Sequence, residues 1–233
     1  MTLKVISFDL DDTLWAVQPV IRHANQALYR WLGSNAPLFT AHYQPEDFDQ
    51  LRDEVLRQQP AISHSVTAIR LAVLQQGLSH SGYDDADTER LTQAAFAVFI
   101  EARNQVEFFQ HARQMLTELS VHYRLIALSN GNADVHRVGL GSLFEFALSA
   151  DQVGQAKPHP LMFEQLLART GVAPEQVVHV GDHPEHDVLG AQQCGLHTLW
   201  VNRARSPWLH GTAPDLEVTC LSEVVPKIRG FVG

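Results

Sequence analysis

The chain is 233 residues long, 45% hydrophobic and 18% charged, with a formal net charge of −9 at pH 7. This is the composition of a soluble globular protein that can bury one sizeable core, or a core plus a smaller appended domain. Its acidity speaks against nucleic acid or an anionic membrane as the main partner, because both call for basic surface.

The first predicted element is a short apolar, β-branched run over residues 3–8, which reads as a buried parallel strand. It ends in Asp9, Asp11 and Asp12. Carboxylates this close raise one another's pKa, and a divalent cation with oxygen ligands is the usual remedy. The carboxyl end of a strand is also where open α/β sheets bind ligands. The chain then changes character. Apolar residues at helical spacing predict helices over 19–33, 45–59, 62–79 and 87–103, with Pro19 and Pro45 near two starts and Pro60, Gly77 and Gly82 as punctuation. This is a helical insertion of the size of a small cap domain, expected over residues 17–108.

From residue 109 on, helix and strand alternate. Helices are predicted over 112–120, 161–170, 185–194 and 221–229, and strands over 124–128, 146–149, 177–180 and 197–201, with an edge strand over 216–219. Alternation of this kind implies right-handed βαβ units and a parallel sheet covered on both faces. The first strand joins that sheet. The fold expected is thus α/β, a Rossmann-like core of residues 1–16 and 109–233 with a parallel sheet and an inserted α-helical cap domain. The two cysteines, Cys194 and Cys220, lack metal-ligand spacing, and no signal peptide or membrane span is legible, so a cytoplasmic location is expected.

Polar groups stand at the end of each main strand. Asp9 and Asp11 follow the first, Ser129 and Asn130 the second, and Gly181-Asp182 a later one, with Asp187 five residues on and Lys157 in a loop before a helix. Brought to one rim, these are the parts needed to hold a metal, fix a phosphate and attack it. Phosphate monoesters hydrolyse very slowly unaided, which favours a covalent route. Asp9 is the expected nucleophile, forming an aspartyl-phosphate, and Asp11 the acid and base that protonates the leaving oxygen and then activates water. Thr13, Ser129 and Asn130 are expected to bind the substrate phosphate, together with Lys157, whose charge steadies the transition state.

The four motifs, Asp9-Leu10-Asp11-Asp12-Thr13, Ser129, Lys157-Pro158 and Gly181-Asp182 with Asp187, resemble in order and placement those of the haloacid dehalogenase-like hydrolase superfamily. The resemblance spans nearly the whole chain. It implies Mg²⁺ held by Asp9, Asp182 and the main-chain carbonyl of Asp11, with Asp187 orienting Lys157 or a metal-bound water. His183 and His186 flank Asp182, but hard oxygen ligands favour Mg²⁺ over zinc. Asp12 fills a slot where many relatives carry Gly and is expected to point away from phosphate.

Dehalogenases of this fold lack the second aspartate, which is present here as Asp11. Phosphonate hydrolases use a cap lysine, whereas the lysines here are Lys4, Lys157 and Lys227. The activity implied is a phosphomonoester hydrolase for a small phosphorylated metabolite, in a monomer or homodimer. A sugar-phosphate mutase and a non-catalytic binding relative stay open. Segments 59–67, 130–133 and 140–146 resemble bacterial flavin mononucleotide phosphatases, which implies a flavin-pathway phosphate. Phosphoglycolate, nucleotide and sugar phosphates are the alternatives. His64 is expected to share a face of the third cap helix with Thr67, Arg70 and Leu71 and to meet the leaving group, the other reading of that face being an ordinary solvated one.

Overall fold

Strand β1, Val5–Phe8, is buried at every residue in the computed structural model, which describes residues 2–231. The outermost residues of the expected core domain, 1 and 232–233, lie outside the described residues. Residues up to Ala16 and from Glu107 on form one compact unit, and Val17–Val106 forms a second.

In the first unit, β1 is joined by β2 (Arg124–Ser129), β3 (Phe146–Ser149), β4 (Val177–Gly181), β5 (His197–Val201) and β6 (Leu216–Val218). All six run parallel in the order β3-β2-β1-β4-β5-β6. The order reverses between β1 and β4, the switch point at which ligands bind beyond the carboxyl ends of a parallel sheet. Register then decides which residues arrive there. Phe8 is level with Ala127 of β2 and Val180 of β4, so Asp9 emerges beside Leu128 and Gly181, one residue ahead of Ser129 and Asp182. The Asp9 N–H donates to the Val180 carbonyl at 2.9 Å, which extends the ladder into the site. Met162, Phe163 and Leu166 of the helix Leu161–Thr170 pack with Val5, Ile126, Leu128 and Val177. Burying each such side chain stabilises the sheet by roughly 1.5–3 kcal/mol.

The second unit is helical. Val17–Asn35 presents Val20, Ala24, Leu28 and Leu32 at four-residue spacing, and the last three of these pack with Phe39, Leu74, Leu78, Leu91, Ala95 and Phe99. Gly77 is needed inside the helix Val66–His80 because a Cβ there would run into the Phe39 ring. Several boundaries differ from the sequence expectation. A helix over Pro37–His42, started by Pro37, went unforeseen. The helix expected over 45–59 is a 3₁₀ turn, Pro45–Asp47, followed by Phe48–Gln58. The one expected from residue 62 begins only at Val66, because Ser65 caps it by accepting from the Ala68 N–H at 2.9 Å. His64 therefore lies in the turn before the helix and does not extend its face. The helix expected over 185–194 is a π-helical turn, Pro184–Leu189, leading into Gly190–Gln193. Among the described residues no helix is long and apolar enough to cross a membrane.

Candidate active site

Lys157 lies at the centre of the polar rim, 2% exposed, and each of its three ammonium donors is used. Nζ donates to Asp9 Oδ1 at 2.8 Å, to Asp187 Oδ1 at 2.7 Å and to the Leu128 carbonyl at 2.6 Å. Asn130 holds the Lys157 main chain from both sides, its Oδ1 accepting the Lys157 N–H at 2.7 Å and its Nδ2 donating to the Lys157 carbonyl at 2.9 Å. The Asn130 amide is thus engaged on Lys157, where the sequence suggested a substrate ligand.

Asp9, Asp182 and Asp187 bring carboxylate oxygens within 4.8 Å of one another. Asp187 is fully engaged. Its Oδ1 accepts from Lys157 and from His179 Nε2 at 3.1 Å, and its Oδ2 from the His183 N–H at 2.9 Å. Gly181 has to be glycine for the same reason, since a Cβ there would overlap the Asp187 carboxylate. Asp182 Oδ1 accepts from Thr13 Oγ1 at 3.0 Å, and its carbonyl accepts from Trp200 Nε1 at 2.7 Å.

The electrostatics separate the three acids. Burial pushes the Asp9 carboxyl well above the usual range, against the pull of Lys157, and the charges of Asp187 and Asp182 push the same way. Burial, then Asp187, pushes Asp182 up to about 7. Asp187 goes the other way. Burial again works to raise it, but Lys157 and His179 outweigh burial and hold it well below the usual range. Lys157 itself is raised, since Asp187 and Asp9 outweigh the burial of its ammonium. Asp9 and Asp187 touch the same ammonium and shift oppositely because Asp187 accepts three hydrogen bonds, whereas Lys157 is the side-chain partner that steadies Asp9. Three buried or half-buried carboxylates against one ammonium leave negative charge over, and Asp9 and Asp182 are the pair with capacity to spare. This donor set suits a hard divalent cation.

Asp11 stands outside that carboxylate cluster, and its Oδ1 accepts from Trp15 Nε1 at 2.8 Å. The turn between them needs Asp12 in the left-handed region, φ 59°, with its N–H donating to the Trp15 carbonyl at 2.7 Å. A left-handed position explains why glycine suits this slot, and aspartate is among the few other residues that adopt it readily. Ser129 is buried and its Oγ accepts from the Gly131 N–H at 3.0 Å, closing the turn after β2. His183 Nδ1 accepts from the N–H groups of Glu185 and His186, so it caps the following turn. His64 belongs to the helical unit, where Nδ1 bonds the Ala61 carbonyl at 3.1 Å. Trp15, expected from the sequence either as core or as a residue able to reach the pocket, is fully buried with its indole N–H on Asp11. Sequence reasoning overlooked Ser7 and His179, whose signal was two polar residues inside otherwise apolar strands, each of which must find a buried partner.

The family model for haloacid dehalogenase-like hydrolases matches residues 3–195, and the chain belongs to that family. It is 29% identical over 230 residues to the 5-amino-6-(5-phospho-D-ribitylamino)uracil phosphatase YigB of Escherichia coli strain K12, covering 97% of this chain and 96% of the relative. It is 30% identical over 254 residues to a phosphoserine phosphatase of Thermus thermophilus, covering 95% and 98%. These relatives make phosphatase its enzyme class. A crystal structure described as a 2-haloacid dehalogenase from Pseudomonas syringae pv. tomato superposes with a TM-score of 0.93 at 38% identity, covering 98% of each chain.

Proposed function

We propose that this protein is a Mg²⁺-dependent phosphomonoester hydrolase working through an aspartyl-phosphate on Asp9, and that its substrate is a flavin-pathway phosphate. The observation that carries the chemistry is the Lys157 ammonium shared between Asp9 and Asp187 at 2.8 and 2.7 Å, beside an acidic group too rich in charge to stand alone. Asp9 and Asp182 would hold Mg²⁺, which when bound screens their charge from that of the phosphate. With Oδ1 steadied by Lys157, Asp9 attacks phosphorus through its other oxygen and breaks the bond to the leaving alkoxide, which takes a proton from Asp11. Asp11, now a base, takes a proton from the water that cleaves the acyl phosphate and returns Asp9 as carboxylate. Lys157 supplies fixed positive charge to the transferring group, and we assign the hydroxyls of the buried Ser129 and Thr13 to binding it. Asn130 acts through Lys157, and Asp187 holds the ammonium in place.

The dehalogenation named for the Pseudomonas structure makes different demands. Halide leaves without a proton and the nucleophile meets a neutral carbon, so neither an acid at position 11 nor a cation at Asp182 has a task. The flavin substrate is supported by the likeness to YigB, and the helical unit is the part we assign to reading the leaving group, as a cap. We place the enzyme in the cytoplasm, as monomer or homodimer. The test is free phosphate released from FMN, the ribitylamino-uracil phosphate, phosphoserine and phosphoglycolate, with Mg²⁺ and with EDTA, and chloride released from 2-chloropropionate. Phosphate release that survives EDTA, or chloride release alone, would overturn the reading. The flavin-pathway compounds are expected to have the highest kcat/KM of the panel, and a clear preference for another ester would remove them as substrates.

The raised Asp182 adds a pH prediction. In the metal-free protein its proton leaves near pH 7 rather than near 3.8. Between those values the folded protein holds a proton the unfolded chain has lost, so this group makes the fold less stable as the pH rises from about 4 to 7. A cation competes with the proton. Mg²⁺ is expected to raise the melting temperature more at about pH 8 than at about pH 5.5, with apparent affinity falling by up to about tenfold per pH unit below 7. Equal shifts at both would show that Asp182 is no ligand.

A further inference from the structure

Ser7 and His179 are directly opposite one another in the β1–β4 register, both fully enclosed beneath the polar rim. Ser7 Oγ lies 2.8 Å from His179 Nδ1, and His179 Nε2 lies 3.1 Å from Asp187 Oδ1, the oxygen that also takes the Lys157 ammonium. An unbroken chain of buried contacts therefore runs Ser7, His179, Asp187, Lys157, Asp9. We propose that His179, with its ring set by Ser7, is a positioning residue that governs how Asp187 shares the Lys157 ammonium with Asp9. The proposal rests on the phosphatase reading and extends it below the residues that touch substrate.

The hydrogen-bond inventory gives each member one role. Asp187, held ionised, can only accept, so His179 Nε2 must carry a proton. Burial, with the Lys157 charge, keeps the ring neutral, and a neutral ring has no second proton for Nδ1. Nδ1 must accept, and Ser7 Oγ must donate. Phe163 packs edge-on against the ring, with centroids 5.3 Å apart. Two donors on Asp187 Oδ1 divide the charge of that oxygen. Without His179 the same oxygen attracts Lys157 alone, and the ammonium is drawn from Asp9 toward Asp187. The step that suffers is the one in which Lys157 faces both Asp9 and the transferring phosphoryl group, so kcat falls and substrate binding does not.

The test compares His179→Met, which removes both ring nitrogens at similar volume, with His179→Gln, which restores a donor near the Nε2 position, and with Ser7→Ala. Turnover of p-nitrophenyl phosphate with Mg²⁺ is measured beside thermal unfolding. His179→Met is expected to lose roughly 10–100-fold in kcat with KM within about twofold, His179→Gln to recover most of that loss, and Ser7→Ala to fall by less. A folded His179→Met with kcat within about twofold of the parent, or a His179→Gln no better than His179→Met, overturns the proposal. If His179→Met does not fold, ¹⁵N NMR of the imidazoles in the parent protein decides, with His179→Gln identifying the signal. An Nε2–H tautomer supports the chain of contacts, and an Nδ1–H ring or an imidazolium overturns it. A parent protein that releases no phosphate fails the phosphatase reading itself, whereas an active parent with an indifferent His179 fails only this inference.

Discussion

Asp9→Asn is expected to lower turnover at least about a thousandfold while leaving the protein as stable as before, or more so. The side chain keeps its shape, and its amide oxygen can still accept from Lys157 Nζ, which lies 2.8 Å from Asp9 Oδ1 in the parent. What disappears is the anion that attacks phosphorus. The stability side follows from the raised Asp9 pKa. Burial, and then the charges of Asp187 and Asp182, disfavour the ionised Asp9 carboxylate, and a neutral amide carries neither cost. Phosphate release and calorimetry read the two halves separately. Turnover within about tenfold of the parent would refute the aspartyl-phosphate route, and a large loss of stability would mean that Asp9 serves the fold rather than the reaction.

Lys157→Met should damage both fold and activity. The ammonium meets three acceptors while 2% exposed, and removing it leaves two buried carboxylates and the Leu128 carbonyl without their donor. Breaking a buried ion pair from one side costs about 3–5 kcal/mol, which for a chain of this size lowers the melting temperature by roughly 6–20 °C. The pH dependence has a definite sign. The folded pKa of Lys157 is raised, so its contribution is complete throughout the neutral range and is lost only as the pH climbs past the ordinary lysine value of 10.5. Asp187 is depressed, so its contribution is complete above about 3.8 and is lost as the pH falls through the folded value. The parent should therefore outlast Lys157→Met across the neutral range, with the gap closing at both extremes. A variant that melts with the parent at neutral pH would show that the shared ammonium contributes nothing to the fold.

The site was legible in the amino-acid order where the chemistry is carried by local pattern. The apolar run 3–8 ending in Asp9 and Asp11, the strand ending at Ser129 and the Gly181-Asp182 pair each announce a strand that delivers polar groups to its carboxyl end, and alternation after residue 109 implies that the strands lie parallel. The family likeness tied them together. Beyond that, side chains had to be placed in space. Asn130 looked like a phosphate ligand because it follows Ser129, yet it spends its amide on the main chain of a residue 27 positions away. His64 looked helical because apolar spacing continues through it, until the Ser65 cap sets the helix start at Val66. Ser7 and His179 are separated by 172 positions, and only the β1–β4 register shows that they face each other.

By itself, then, the sequence determined the strand ends, the helical insertion and the residue types that meet at the rim, because these depend on side-chain periodicity and on which groups tolerate a strand's last position. Tertiary structure decided which carboxyl pKa is pushed up and which is held down, which ammonium donor goes where, and why position 181 is glycine and Asp12 left-handed. Charge, burial and hydrogen bonding act over a few ångströms, and in this fold those ångströms join residues as far apart as Lys157 and Asp9, 148 positions along the chain.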